Sequence, residues 1–267
     1  MKSIQKLSQF IEDWLIKYIK KSKMDGFVIG VSGGIDSAVT STICARTGYP
    51  TLCLEMGIHQ NIDQVSRARK HIQWLEENYE NVSHHSLSLT KLFDEFCFTL
   101  PDVIDTDKKN HALANSRARL RMTTLYYFST INNFLVAGTG NKVEDFGIGF
   151  YTKYGDGGVD ISPIADLMKS DVFVLAKHLN IIEDIQKSDP TDGLWDDDRT
   201  DEDQIGASYE EIEFVMKSIE KNSKETLNSR QEEVLKLYKN LNSKNNHKMS
   251  PVPVCIVPKA LKNSIEL

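Results

Sequence analysis

Phe27-Val28-Ile29-Gly30-Val31-Ser32-Gly33-Gly34-Ile35-Asp36-Ser37 reads as a strand that runs into a glycine turn and then a helix. The run Phe27 to Val31 has the length of a buried strand and lacks the alternation of a half-exposed one. Asp36 to Ala45 follows with a helical pattern and stops near Gly48 and Pro50. Glycines at such a turn let a phosphate approach the backbone. Successive N–H groups and the helix N-terminus then point at the anion. Ser32 and Ser37 can add hydroxyl donors. Asp36 is the odd residue, because a carboxylate beside a phosphate is repulsive unless a cation lies between them. It implies Mg²⁺. Neither GxxxxGK[ST] nor GxGxxG occurs in the chain, so this is not a Walker loop or a dinucleotide fingerprint. The simpler alternative is a glycine turn with a serine cap.

The same alternation continues outward. Thr51 to Met56 and Val82 to Leu87 read as strands, the latter weaker. Between them Asn61 can cap a helix whose apolar stripe is Val65, Ala68, Ile72 and Leu75. Residues 107–132 form a long helical stretch, and Phe134 to Ala137 is a strand ending in Gly138-Thr139-Gly140. Ser170 to Leu179 is helical. Upstream, Ile4, Leu7, Ile11, Trp14 and Tyr18 recur at helical spacing, which makes residues 1–25 an N-terminal helix. Strands alternating with helices predict an α/β fold with a parallel sheet covered on both faces and ligands beyond the carboxyl ends of the strands. The last third changes character. Residues 190–206 are rich in Asp and read as a mobile acidic loop, solvated along much of its length. Helices are expected near 208–220 and 225–242, then a tail over 245–267 with an extended Pro251-Val252-Pro253. All 267 residues are expected to form one domain.

Composition narrows the function. Lys and Arg total 32 and Asp and Glu 38, a net charge of −6, which removes the long-range attraction a general nucleic-acid binder needs. No apolar run has the length of a membrane span, and Glu12 and Asp13 interrupt the N-terminus where a signal peptide would be apolar. Cys44, Cys53, Cys97 and Cys255 form no CxxC pair and read as reduced, mostly buried thiols of a cytoplasmic protein. His84-His85 lacks metal-ligand spacing and reads as a strand-edge pair.

The strand–SGGIDS–helix unit resembles the PP-loop of the N-type ATP pyrophosphatases, which split ATP into AMP and pyrophosphate. Further strings resemble the ammonia-dependent NAD synthetases within that family. They are Asn115-Ser116-Arg117-Ala118-Arg119-Leu120-Arg121, Gly138-Thr139 with Glu144, and Tyr151-Thr152-Lys153-Tyr154-Gly155-Asp156-Gly157-Gly158-Val159-Asp160. Ile161-Ser162-Pro163-Ile164 through Lys169, Pro190-Thr191, Gly206-Ala207-Ser208-Tyr209 and His247-Lys248 complete the series, so the resemblance covers about residues 26–258. It implies a doubly wound parallel sheet of the adenine-nucleotide α-hydrolase-like type. It also implies a ligase that adenylates the nicotinate carboxylate of deamido-NAD with ATP, releases pyrophosphate, and lets ammonia displace AMP. By the same resemblance Gly30, Val31, Ser32, Gly33, Gly34, Ile35, Asp36, Ser37, Thr139, Lys169 and Thr191 face ATP. Asp36 and Glu144 hold Mg²⁺. Arg119, Lys153, Asp160, His247 and Lys248 contact deamido-NAD, and Asp36, Lys153 and Lys169 carry the chemistry.

Two features depart from the family's common pattern. Ile35 stands where Gln is frequent, and Gly140-Asn141-Lys142 replaces a more usual Asp-His-Ala. Arg117, Arg119 and Arg121 cannot all share one helix face, so which of them meets substrate stays open. Only about 25 residues precede the first strand, too few for a glutaminase domain, so free ammonia is the expected nitrogen donor. Members of this family are homodimers, and the stripe over 113–128 is read as their interface. Two other readings remain: another PP-loop enzyme, such as a tRNA-modifying one, or a nucleotide-binding module without catalysis. No residue is identified as the proton acceptor for ammonium.

Overall fold

The computed structural model describes residues 2–60, 62–191, 200–221 and 226–263. Four strands form one parallel sheet: β1 (Gly26–Gly30), β2 (Thr51–Gly57), β3 (Val82–Ser88) and β4 (Phe134–Val136), in the order β3-β2-β1-β4. Phe27 lies opposite Thr51 on one side and Leu135 on the other, which fixes the register. Ala137 bridges Ile161 in parallel and widens the sheet beyond β4.

The helices are distributed on both faces. α1 (Lys2–Ser22), α2 (Ile35–Arg46), α3 (Ile62–Asn78) and α6 (Lys169–His178) cover one face, and α5 (Thr106–Asn132) crosses the other. Alternation within β1 sorts the core between them. Phe27 and Ile29 pack with Leu15, Ile19, Ile43, Val172 and Leu175, while Val28 packs with Leu52, Leu54, Val136 and Leu125. All three β1 residues are 0% exposed, so each contributes about 1.5–3 kcal/mol of burial. This is why the strand reads as a continuous apolar run.

The boundaries differ from the sequence reading in several places. α4 (Thr90–Phe98) was not expected; it buries Phe93 alone and so carries little apolar signal. Lys142–Ile148 forms a π-helical segment. Residues 192–199 of the expected acidic loop lie outside the described residues, as does the expected cap Asn61. The end of that loop is not loop at all: α8 (Asp201–Ile205) is a helix closed by a Thr200–Asp203 capping box, and Asp201 is buried rather than solvated. α7 (Glu183–Gln186) precedes this region, and α9 (Tyr209–Glu220) follows it. α10 (Ser229–Met249) runs past the expected end at 242, so His247 and Lys248 sit on a helix and not in an extended tail. A short α11 (Lys259–Asn263) ends the described chain. Cys44 and Cys53 are buried, but Cys97 is half-buried and Cys255 exposed; all four are free thiols. His84 and His85 lie on edge strand β3, beside Glu76 at 2.7 Å and against the Phe128 ring.

One buried group makes the fold sensitive to acid. His71 of α3 is fully buried, 3.0 Å from the Ser41 hydroxyl of α2 and stacked on Trp74. Burial lowers its pKa from 6.5 to about 4. A lowered folded-state pKa stabilises the protein above the unfolded value, and that contribution is lost as pH falls from 6.5 toward 4. The loss amounts to about 3 kcal/mol. Urea midpoints of the wild type are expected to fall across this window, and those of His71→Phe to fall less. Parallel curves would remove His71 as the cause.

Candidate active site

The C-terminal ends of β1 and β4 open into a cavity of about 260 Å³. The chain after β1 turns over Ser32 and Gly33 into α2, whose N-cap is Gly34. As a glycine it has no side chain to cap the first N–H groups of α2, which are left for a ligand anion. The loop is tied by Ser37, which is buried. Its hydroxyl donates to the Gly34 carbonyl at 2.9 Å and accepts from the Ser32 N–H at 3.2 Å. Ser37 therefore staples the loop, and Ser32, Gly34 and Ser37 all stand at the cavity.

Three charged side chains converge beneath it. Lys169, the first residue of α6, is 3% exposed. Its Nζ donates to Asp36 Oδ2 at 2.5 Å and to Glu144 Oε1 at 2.9 Å. Asp36 comes from the first turn of α2 and Glu144 from the π-helical segment. Asn141 caps that segment and joins it to the loop: its Oδ1 accepts from the Val143 and Glu144 N–H groups, and its Nδ2 donates to Asp36 Oδ1 at 3.1 Å. Tyr209, the first residue of α9, donates its hydroxyl toward Glu144 Oε1 at 2.5 Å and Asp201 Oδ2 at 3.1 Å. The Lys169 ammonium lies 4.8 Å from the Tyr209 ring centroid.

Burial dominates the electrostatics. It pushes Asp36 above the ordinary carboxylate range, with Glu144 adding to the push and Lys169 opposing it. Burial acts on Glu144 in the same sense, but Lys169 and the Tyr209 hydroxyl together hold it below its ordinary value. For Lys169 burial favours the neutral form, and the two carboxylates reverse this, raising its pKa. The ammonium is thus charged throughout the neutral range and serves as the cation between two carboxylates. Asp145 also lines the cavity; burial, then the charges of Glu144, Asp156 and Asp36, raise it well above the usual carboxylate range.

All the residues expected to face ATP line this cavity except Gly33, and Glu144 lines it as well. Gly33 has φ +86°, and a Cβ there would lie 2.6 Å from the Gln64 carbonyl of α3. Its glycine allows the close approach of α3. The residues expected to meet deamido-NAD divide. Arg119 donates to the Lys153 carbonyl at 3.4 Å, Lys153 Nζ donates to the His247 carbonyl at 2.5 Å, and Lys248 Nζ reaches the Gly149 and Tyr151 carbonyls. These four form one cluster, bordering the cavity through Ala118, Gly155 and Asp156. Asp160 lies apart. Its carboxylate accepts from the Val136 N–H at 2.8 Å and the Tyr126 hydroxyl at 3.0 Å, beside a separate depression under Trp14 and Tyr18.

The three arginines also separate. Arg121 lines the cavity and bonds the Met56 carbonyl and Gln60, while Arg117 stacks over Phe93. Sequence reasoning gave no role to Asn141, Asp145, Asp201 or Tyr209. Tyr209 stood in one of the family-like strings and follows the capping serine of α9, and Asn141 stood in a departure from the family pattern and precedes a helical segment, but neither context named a partner.

Known proteins resemble the chain over most of its length. The NAD synthase family profile matches residues 7–252. An NH(3)-dependent NAD(+) synthetase of Mycoplasma genitalium is 39% identical over 219 residues, 81% of this chain and 85% of that protein. An NMN synthetase from Francisella tularensis superposes with a TM-score of 0.80 at 30% identity, covering 96% of this chain and 98% of that one. An NH3-dependent NAD synthetase from Campylobacter jejuni gives 0.76 at 28% identity, covering 95% and 99%. With its PP-loop cavity and a profile match over most of its length, the chain belongs to the NAD synthase family.

Proposed function

We propose that this chain amidates the nicotinate carboxylate of deamido-NAD to form NAD, using ATP and ammonia, and that the cavity over Asp36, Lys169 and Glu144 is where ATP is cleaved. It is a carbon–nitrogen ligase of NAD biosynthesis. The observation that carries the placement is the buried ammonium held between two carboxylates at an uncapped helix N-terminus.

The α2 N-terminus and the N–H groups around Gly34 bind the phosphates, and Lys169 lies where charge gathers on the departing pyrophosphate. Asp36 and Glu144 fit Mg²⁺. They are hard oxygen donors, already close enough to share one cation, and Mg²⁺ commonly takes one or two carboxylates together with substrate phosphates. When bound, it neutralises charge on the pyrophosphate. Thr139 and Thr191 flank the nucleotide. Lys153, Arg119, His247 and Lys248 hold the acidic dinucleotide beyond the rim, and Asp160 fixes the adjoining backbone. No protein nucleophile is needed, because the substrate carboxylate attacks the α-phosphorus; orientation of the two substrates supplies much of the rate.

The working unit in this proposal is a homodimer. α4 and α5 expose Leu92, Phe98, Tyr127 and Ile131, which supports an interface on these helices. A cytoplasmic location belongs to the same proposal and is consistent with four unpaired thiols. Among the described residues no helix is long and apolar enough to cross a membrane.

The likeness to an NMN synthetase favours one second reading, a mononucleotide acceptor. A single assay tests both. Pure protein with ATP, Mg²⁺ and ammonium is given deamido-NAD or nicotinate mononucleotide, and the amide product is measured. NAD from ammonium, with no product from glutamine, is the expected result. Faster turnover of the mononucleotide would transfer the assignment to that acceptor, and pyrophosphate release with neither would reject both.

A further inference from the structure

Tyr209 and Asp201 lie outside every role assigned above, yet both reach the charged centre. Tyr209 is buried, and its ring covers the Lys169 ammonium. Its N–H donates to Glu202 Oε1 at 2.8 Å, and its hydroxyl contacts Glu144 and Asp201. The Asp201 N–H in turn donates to the Pro190 carbonyl at 3.0 Å, which places Asp201 beside Pro190 and Thr191 at the cavity wall.

A phenol has one proton, and here two carboxylates accept from it. The hydroxyl lies 2.5 Å from Glu144 and 3.1 Å from Asp201, so Glu144 takes the stronger share. Lys169 and Tyr209 both bind the same oxygen of Glu144, Oε1. We infer that Tyr209 is a positioning residue for the metal-binding carboxylate: by holding Oε1 it presents Oε2 of Glu144 to the cation that accompanies ATP, and Asp201 competes for its proton and sets how firmly it does so. This rests on the proposal that Asp36 and Glu144 hold Mg²⁺. The hydroxyl touches no reacting atom and acts only through Glu144.

The two partners should then behave oppositely. Tyr209→Phe keeps the ring over Lys169 and removes the hydroxyl. Glu144 loses a hydrogen bond to its charged form and its orientation, which is expected to weaken the cation site about tenfold. Asp201→Asn keeps the side-chain shape and replaces a charged acceptor by a weaker neutral one, which favours the phenol's bond to Glu144, so cation binding should be unchanged or tighter.

Mn²⁺ serves as the probe, titrated against the full-length protein with saturating ATP and followed by its electron paramagnetic resonance signal, without any acceptor substrate. Melting curves accompany each variant. The expected result is about a tenfold rise in the Mn²⁺ dissociation constant for Tyr209→Phe and none for Asp201→Asn. Equal Mn²⁺ affinity in Tyr209→Phe and wild type would overturn the inference. So would parallel weakening in both variants, which is what a merely structural role would give. Should Tyr209→Phe fail to fold, Asp201→Asn decides alone, weaker binding overturning the inference and unchanged or tighter binding upholding it. Absence of ATP-dependent Mn²⁺ binding in the wild type would instead reject the metal assignment of Asp36 and Glu144, a result distinguishable from the other two.

Discussion

Lys169→Met is expected to lower kcat by about 10²–10³-fold, the range for removing a preorganised charge from a transition state. The substitution keeps chain length and burial but removes the cation that bridges Asp36 and Glu144. Two carboxylates then remain in a buried site with hydrogen bonds from Asn141 and Tyr209 but without the bridging cation, and a broken buried ion pair costs about 3–5 kcal/mol. The wild-type lysine has a raised pKa, so its contribution is fully present below the ordinary value of 10.5 and is lost only as pH rises beyond it. The variant should behave differently. Asp36 and Glu144 can be buried together only by taking up protons, so its stability deficit should be large at pH 7.5 and shrink toward pH 5. Urea unfolding at both pH values measures this. An equal deficit at the two would mean that Lys169 stabilises by packing and not by neutralising charge. Added Mg²⁺ with ATP should restore part of the lost stability, since a divalent cation brings the missing charge.

How much of this centre was legible in sequence depended on how each residue is signalled. β1 and β4 were readable because a strand buried on both faces is an uninterrupted apolar run, and β2 kept enough of that pattern despite the buried Glu55, which pairs with Arg69. α4 was not, because one buried phenylalanine makes no periodicity. The π-helical segment leaves no mark in composition: Lys142–Ile148 looks like any short polar–apolar stretch, yet its wider turn lets Asn141, Glu144 and Asp145 all serve the cavity. Asp36 could be argued from chemistry alone, since an acid beside a phosphate loop demands a cation. Lys169 and Glu144 could be singled out only through family resemblance, and nothing in their neighbourhoods predicts that they meet Asp36. Tyr209 and Asp201 were missed for different reasons. Tyr209 stood in a family-like string that says nothing of its partners, and an aspartate in an acidic tract reads as solvated. Their pairing exists only because α8 and α9 fold back over the site, held by Glu202 on the Tyr209 N–H and by Arg230 across Glu211.

The two glycines of the loop are expected to fail in different ways when each is replaced by alanine. Their sequence reading was identical, as room for a phosphate. Gly33 has a positive φ that alanine adopts only under strain, and its added Cβ would also lie 3.1 Å from the Ala68 nitrogen as well as close to Gln64. α3 cannot recede easily, because Ala68, Ile72 and Leu75 pack against Val31 and Cys53 of the sheet. Gly33→Ala should therefore destabilise the fold by about 2–4 kcal/mol, backbone strain and overpacking combined. Gly34 is unlike it, with φ −90° and ψ 159°, an ordinary extended conformation. A Cβ there would meet only the Ser32 hydroxyl at 3.3 Å, and a hydroxyl can rotate away. Gly34→Ala should melt within about 1 kcal/mol of the wild type, the usual scale of an N-cap change. It should nevertheless bind ATP about tenfold more weakly, because its methyl group occupies the space at the α2 N-terminus that the phosphates must enter. Calorimetric titration of ATP and thermal melts on the two variants separate these effects. Wild-type ATP affinity in Gly34→Ala would mean that the phosphates approach elsewhere, and a normal melt for Gly33→Ala would mean that α3 yields where its packing says it cannot.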